Sequence, residues 1–130
     1  MSNYTKKNFK DLDDLAGSRG LEGKVEGRFA RSAIESDHLG VSYFRYAPDF
    51  RSPFAHSHRE QEEAYVVVSG SGRAKLDDEV VDLAQWDVLR VAPTVGRAFE
   101  AGSDGLEMIA IGADRPEGGD GEMIENFWVD

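Results

Sequence analysis

Two of the three histidines in the chain, His56 and His58, are separated by one residue, and the carboxylate of Glu63 follows. On a β-strand, residues i and i+2 point to the same face, so the two imidazoles project together. A turn over 59–62 would bring back a neighbouring strand and offer Glu63, or alternatively Glu62, to the same place. Two histidines and one carboxylate with open positions are the donor set of non-haem iron(II) and of some manganese, nickel and zinc sites. The spacing therefore predicts a divalent-metal site formed by His56, His58 and Glu63.

Short segments rich in β-branched and aromatic residues surround this motif and are separated by turn residues. The run 64–68 is apolar without alternation, which indicates cover on both faces. Ser69-Gly70-Ser71-Gly72 predicts a turn, and Asp77-Asp78 predicts the turn of a hairpin. Strands at such spacing favour an all-β sandwich or barrel. The predicted strands cover 25–30, 40–47, 54–58, 64–69, 73–76, 79–83, 87–92, 97–100 and 106–111.

The two ends of the chain differ from this β-rich centre. Residues 1–24 are polar, and Phe9, Leu12 and Leu15 recur every third residue, which predicts one or two helical turns that pack on the main body. Residues 25–112 form the predicted barrel. Residues 113–130 are predicted to be a loop and an aromatic tail, whose Phe127 and Trp128 bury on this barrel or on a partner subunit.

Composition limits the classes of function. A chain of 130 residues predicts one domain, and its net charge of −10 disfavours a broad nucleic-acid surface or an anionic membrane as partner. The absence of cysteine excludes disulfides, zinc–thiolate sites and a cysteine nucleophile. No apolar run reaches the length of a spanning helix, so we expect a soluble, cytoplasmic protein.

The histidine segment resembles the first motif of the cupin superfamily, in which His-x-His is followed after three or four residues by Glu and, six residues later, by Gly. Here His56 and His58 are followed by Glu63 and Gly70, whereas Glu62 does not fit the distance to Gly70. Residues 86–100 resemble the second motif, and the resemblance covers about 40–112. It implies a small all-β barrel of two antiparallel sheets, the double-stranded β-helix or jelly roll, which is often dimeric.

The second motif departs from the family pattern at two positions. Trp86 stands where the family has Gly, and Arg97 stands where the family has its fourth ligand, a histidine. Arginine has no lone pair to give a metal. Three interpretations stay open: Arg97 anchors an anionic ligand beside a three-ligand metal, Arg97 replaces the metal charge by pairing with Glu63, or Arg97 points to solvent.

Because arginine suits the recognition of anions, we expect a site that takes a small, anionic organic ligand, with Arg97, Tyr65 and Phe99 as the ligand-binding residues. One hypothesis is a metal-dependent enzyme holding Fe, Mn, Ni or Zn. It is weakened because, apart from His38, every histidine is already a ligand, so no general base is evident. The competing hypothesis is a metal-free, non-catalytic ligand-binding or sensory cupin. The aromatic tail and the apolar strand 64–68 also predict a homodimer.

Overall fold

The computed structural model describes residues 3–128, and its regular structure is almost entirely β. Two 3-10 turns, Phe9–Asp11 and Gly17–Arg19, precede the strands. Residues 3–128 contain no helix with the length and apolar character needed to cross a membrane. The strands are β1 (Val25–Phe29), β2 (Gly40–Tyr46), β3 (His56–His58), β4 (Glu63–Leu76), β5 (Glu79–Leu83), β6 (Val88–Val91), β7 (Arg97–Gly112) and β8 (Gly121–Met123).

The strands form one connected antiparallel sheet that curls around a shared core. The long strands β4 and β7 pair along most of their length and form its centre. The second half of β7 also pairs with β2, which pairs with β1, whereas β5 and β6 extend the sheet from β4. At the start of β7, Arg97 pairs with His56 of β3. The predicted all-β architecture is therefore confirmed. Glu63 at the start of β4 and Arg97 at the start of β7 lie at opposite ends of the β4–β7 pairing, and the curl of the sheet brings them together beside β3.

The predicted turn at 69–72 is wrong, because β4 continues through these residues. The pairing register with β7 shifts between Val67 and Ser69 and again between Gly70 and Gly72, so the strand bulges instead of reversing. Gly70 has a φ of +78°, and a Cβ atom there would lie 2.1 Å from the carbonyl oxygen of Gly105. The glycines thus let β4 bend while it stays against β7. The hairpin at Asp77 is confirmed by the pairing of β4 with β5.

The N-terminal segment has less helix than its periodicity predicts. Its two 3-10 turns have three residues each, and Leu15 is exposed. Phe9 packs against Tyr43 with ring centroids 5.8 Å apart. Lys10 pairs with Glu26 of β1 at 2.8 Å. Side-chain contacts at the first turn therefore hold this segment to the outside of β1 and β2.

The C-terminal segment packs on its own barrel and contains a strand that the sequence does not predict. β8 pairs with β3, and Ile124 N–H donates to the Ala55 carbonyl at 2.9 Å. The indole N–H of Trp128 donates to the Ser52 carbonyl at 3.0 Å, and the Phe127 ring lies 4.0 Å from the Lys75 ammonium. The tail is therefore occupied within this subunit as far as residue 128; residues 129 and 130 of the predicted tail lie outside the described residues.

Candidate metal centre

The curl of the sheet brings the predicted ligands together from two strands, β3 and the start of β4. His56 and His58 are the first and last residues of β3, and their ring centroids are 5.0 Å apart. Glu63 is the first residue of β4, which follows β3 in the chain after residues 59–62. The same-face prediction for the two histidines is confirmed by their shared contact with this carboxylate.

The distances within this triad fit a single ion. His56 Nε2 lies 3.5 Å and His58 Nε2 lies 3.3 Å from Glu63 Oε1, and the candidate ligand atoms all lie within 4.8 Å of one another. Nitrogen and oxygen ligands about 2.0–2.2 Å from a common zinc ion are separated by about 3.0–3.5 Å from each other. The two separations from Glu63 Oε1 match this spacing.

The Nε2 atom of His58 supplies the clearest sign of an absent partner. It is buried and has no hydrogen-bond partner in the structure. It lies 3.3 Å from Glu63 Oε1, an oxygen that already accepts the Tyr65 hydroxyl and Arg97 Nη1. Buried polar side-chain atoms usually have a partner, so an orphaned imidazole nitrogen facing a carboxylate requires an explanation. A metal ion that accepts the nitrogen lone pair provides one.

Asp120, which the sequence analysis missed, lies behind His58. Its Oδ1 atom is 2.8 Å from His58 Nδ1, and the carboxylate is buried. Burial raises the pKa of Asp120, but the Glu60 amide, the His58 imidazole and the Gln61 amide outweigh it and hold the pKa at about 2. The sequence offers no signal for this role, because Asp120 follows two glycines in a segment predicted to be a loop.

Donors surround the Oε1 atom of Glu63, the oxygen that faces the two histidines. Its Oε1 atom accepts the Tyr65 hydroxyl at 2.5 Å and Arg97 Nη1 at 2.7 Å. Burial raises the pKa of Glu63, but the His56 and His58 imidazoles and the Tyr65 hydroxyl outweigh it and hold the pKa well below its usual value. The carboxylate is therefore ionised at neutral pH and ready to act as a ligand.

Arg97 reaches this carboxylate from β7 and is completely buried. Its Nη2 atom donates to the carbonyls of Ala92, Pro93 and Val95, and its Nε atom also donates to Val95. The interpretation in which Arg97 points to solvent is wrong, because none of its surface is accessible. The pair with Glu63 is the contact that the second interpretation requires. Direct anchoring of an anion by Arg97 would need a guanidinium that is more accessible than this one.

The two aromatic residues assigned to ligand binding lie deeper in the barrel. Tyr65 and Phe99 are both buried, with ring centroids 4.8 Å apart, and Phe99 also stacks on Tyr46. Burial, reinforced by the charge of Glu63, raises the pKa of Tyr65 well above its usual value. The phenol therefore keeps its proton and donates a hydrogen bond to Glu63. Tyr65 reaches the triad through its hydroxyl and Phe99 packs on Tyr65, and the contact of either ring with a ligand stays a prediction.

The remaining candidate side chains lie outside the triad. Glu62, the alternative carboxylate, is exposed and pairs with Arg90 at 2.9 Å. His38 is exposed, and its Nδ1 atom lies 3.1 Å from Asp114. The structure thus brings Glu63, and not Glu62 or His38, to the paired histidines.

Comparison with known proteins agrees with this arrangement. A family model described as a cupin domain matches residues 42–112, more than half of the chain. The chain belongs to the cupin family. No functionally curated protein matches this cupin. The matched region contains His56, His58, Glu63 and Arg97, whereas Asp120 lies beyond it.

Solved structures similar to this cupin include both small cupins and parts of larger ones. A cupin protein from Bacteroides fragilis is 24% identical, with coverage of 100% of this chain and 99% of that chain and a TM-score of 0.71. A variant of B. subtilis oxalate decarboxylase is 21% identical, with coverage of 95% and 33% and a TM-score of 0.75. A variant of Streptomyces Pac13, in a structure with uridine, is 17% identical, with coverage of 96% and 93% and a TM-score of 0.74. At these identities the similarity shows a shared fold alone.

Proposed function

We propose that this cupin binds one divalent metal ion through His56, His58 and Glu63, and that the metal site takes a small, anionic organic ligand. The observation that carries the proposal is the buried His58 Nε2 atom, which lacks a hydrogen-bond partner and faces the ionised Glu63. Fe, Mn, Ni and Zn are all compatible with two imidazoles and one carboxylate. Arg97 cannot be a fourth ligand, so positions on the ion remain for a ligand or water.

Charge supports an anionic ligand even though Arg97 is buried. Glu63 and Asp120 each contribute one negative charge to the centre, and Arg97 contributes one positive charge. A bound divalent ion therefore leaves the centre with net positive charge, which favours an anion. Arg97 contributes to this preference through its charge and through its hold on Glu63, without touching the ligand. Oxalate decarboxylase, which has a similar fold, is named for a small organic acid.

Ligand access is most direct at His56. The His56 side chain is 29% exposed, compared with 11% for His58 and 14% for Glu63. A ligand that reaches the metal from this side would pass His56 first. When bound, the ion would supply Lewis-acid polarisation of a carbonyl or carboxylate group. Turnover also requires a proton acceptor, and His38 does not provide one because it lies outside the triad on the exposed surface.

A second candidate function is a metal-free ligand-binding or sensory cupin. One specific observation favours it: Glu63 Oε1 already accepts hydrogen bonds from Arg97 and Tyr65. The guanidinium then supplies the positive charge that an ion would otherwise supply. In this candidate the carboxylates of Glu63 and Asp120, which raise the pKa of His58, favour a protonated imidazole between them.

Metal titration separates the two candidates. Metal-stripped protein is titrated with Zn²⁺, Mn²⁺ and Fe²⁺ by calorimetry, the last without oxygen, and the metal content of freshly purified protein is measured. We expect one ion per chain, with affinity reduced about 100-fold or more in His58→Ala because one of three ligands is lost. His38→Ala is the matched control and should bind metal like the wild type, because His38 lies outside the triad.

Two results would contradict the metal proposal. One is substoichiometric metal in the wild type together with no heat of binding for any of the three ions. The other is binding that is equal in wild type and His58→Ala, which would place the ion elsewhere. The first result would leave the metal-free candidate, and the second would leave a triad without metal, in which Arg97 supplies the charge.

A further inference from the structure

The carboxylate of Asp120 is held in a fixed orientation beside His58. Its Oδ2 atom accepts the backbone N–H groups of Glu60 at 2.6 Å and Gln61 at 2.8 Å. Its Oδ1 atom is left to face His58 Nδ1 at 2.8 Å. Both oxygens therefore have partners, and rotation of the carboxylate would break all three contacts.

Strand pairing sets the position of this carboxylate. In the pairing of β8 with β3, Gly121 lies opposite His58 and Met123 lies opposite His56. The Ile124 N–H donates to the Ala55 carbonyl and continues the contact beyond the strand. Asp120 is thus the residue immediately before a strand that is in register with both histidines.

The contacts of Asp120 determine which nitrogen of His58 carries the proton. Asp120 Oδ1 lies 2.8 Å from Nδ1, whereas Glu63 Oε1 lies 3.3 Å from Nε2 and already accepts the Tyr65 hydroxyl and Arg97 Nη1, so in the neutral imidazole the proton belongs on Nδ1. The lone pair then lies on Nε2, the atom that is buried beside Glu63 without a hydrogen-bond partner. Carboxylates that bind the outer nitrogen of a metal-ligating histidine fix its tautomer and orientation in this way.

We infer that Asp120 is a positioning residue of the metal centre, which holds His58 in the Nδ1–H tautomer and directs Nε2 at the ion. The inference rests on the proposed function for the ion, but the tautomer itself is a property of the metal-free protein. His56 differs, because no residue among 3–128 forms a hydrogen bond with its Nδ1 atom and its side chain is partly exposed. The centre therefore has one fixed histidine inside and one adjustable histidine at its opening.

Asp120→Asn tests this inference because the asparagine amide cannot satisfy both sides. The Glu60 and Gln61 N–H groups require the amide oxygen, which leaves the amide nitrogen, a donor, facing His58 Nδ1. The imidazole should then move its proton to Nε2, where it blocks metal binding. We expect the Nε2–H tautomer in ¹H–¹⁵N correlation spectra of metal-free Asp120→Asn at alkaline pH, and an affinity for Zn²⁺ about 10- to 100-fold weaker than that of the wild type.

The chain contains a matched control for this variant. Asp114 and His38 form a second carboxylate–imidazole pair, which is exposed and separate from the triad. Asp114→Asn should leave both the tautomer of His58 and the affinity for Zn²⁺ unchanged. Circular dichroism confirms that each variant is folded before its affinity is compared.

The outcomes separate this inference from the proposed function. A wild-type protein that binds no Zn²⁺ but shows the Nδ1–H tautomer would refute the metal site, and with it a role for Asp120 toward an ion, while it supports the hold of Asp120 on the His58 tautomer. A wild-type protein with the Nε2–H tautomer would overturn the inference, even if Asp120→Asn fails to fold. Equal tautomers and equal Zn²⁺ affinities in wild type and Asp120→Asn would also overturn it.

Discussion

Arg97, which stands where the cupin motif has a histidine, changes the chemistry of the site and leaves the pairing of the strands around it intact. Arg97 lies opposite His56 in the pairing of β7 with β3, where a side chain can approach the paired histidines. The longer side chain passes to Glu63 and to the carbonyls of Ala92, Pro93 and Val95. It therefore acts on the centre through the carboxylate of Glu63, and it fixes the loop before β7 at the same time.

Arg97→His should lower the stability of the metal-free protein and raise its affinity for metal. The three carbonyls lose their donors and the metal-free protein should be about 1–3 kcal/mol less stable, because buried acceptors are left unpaired. A histidine in register with His56 adds a fourth ligand, and we expect the affinity for Zn²⁺ to rise about 10-fold or more, which corresponds to about 1.4 kcal/mol. Chemical denaturation without metal and calorimetric titration with Zn²⁺ measure the two effects.

Arg73→His is the control for this exchange. Arg73 is on β4, is partly exposed and pairs with Glu100 away from the triad. The Arg73→His protein should have the same affinity for Zn²⁺ as the wild type. An Arg97→His protein that binds Zn²⁺ no more tightly than the wild type would show that residue 97 cannot reach the ion.

At the level of elements, positive φ angles mark the places where the sheet changes direction. Gly70 and Gly105 both have a φ of +78° and lie close together on β4 and β7. Trp86, which replaces the glycine of the second cupin motif, has a φ of +72° in the turn before β6. The turn thus keeps a left-handed residue, and a tryptophan adopts it at a conformational cost that glycine would avoid.

Gly70→Ala should be markedly more destabilising than an alanine at an open left-handed glycine. The new Cβ atom would lie 2.1 Å from the Gly105 carbonyl oxygen, so β4 and β7 must separate. We expect a loss of about 2–4 kcal/mol in the free energy of unfolding, measured by urea denaturation. Gly23 is the matched control, because its φ is +82° and nothing lies within 4 Å of a Cβ atom there.

Gly23→Ala should lower the free energy of unfolding by only about 1 kcal/mol, because only the left-handed conformation is unfavourable for alanine there. Equal losses in the two variants would mean that the contact between β4 and β7 at Gly70 adds nothing to this cost. The comparison therefore isolates the close approach of the two strands from the conformational preference of glycine.

The sequence predicts those parts of the site that depend on local geometry. His56 and His58 share a face because strand alternation requires it, and the spacing to Glu63 follows the cupin motif. Asp120 could not be predicted, because it is 62 residues from His58 in the chain and meets it only through the pairing of β8 with β3. The bend at Gly70 was predicted as a turn because a glycine-rich turn and a glycine-rich bulge have similar composition.

At the scale of the whole molecule, apolar side chains form a partly exposed row on the outer face of the sheet. Val66 of β4 lies between Val88 of β6 and Ile109 of β7, and the three form this row on the side opposite to buried Tyr65 and Val67. Val88 is 68% exposed, and Trp86 beside it is 66% exposed. Contiguous exposed apolar side chains are a feature of surfaces that bind partners.

A second copy of the chain is the occupant that we propose for the apolar row. The C-terminal tail, one of the two grounds for predicting a homodimer, is occupied on its own barrel through Phe127 and Trp128. The other ground, the outer side of residues 64–68, remains. Because the chain carries a net charge of −10, two copies would repel each other over most of their surface, and this uncharged row offers them a contact without like charges.

Val88→Lys tests the homodimer directly. Light scattering of the wild type at micromolar concentration should give about twice the chain mass of 14.4 kDa, and Val88→Lys should give the mass of one chain, because a two-fold contact would bury two lysines. Val80→Lys is the matched control, since Val80 is 48% exposed on β5 opposite Lys75 and outside the row. It should remain a dimer. A monomeric wild type, or a Val88→Lys protein that stays dimeric, would remove the apolar row as the dimer surface.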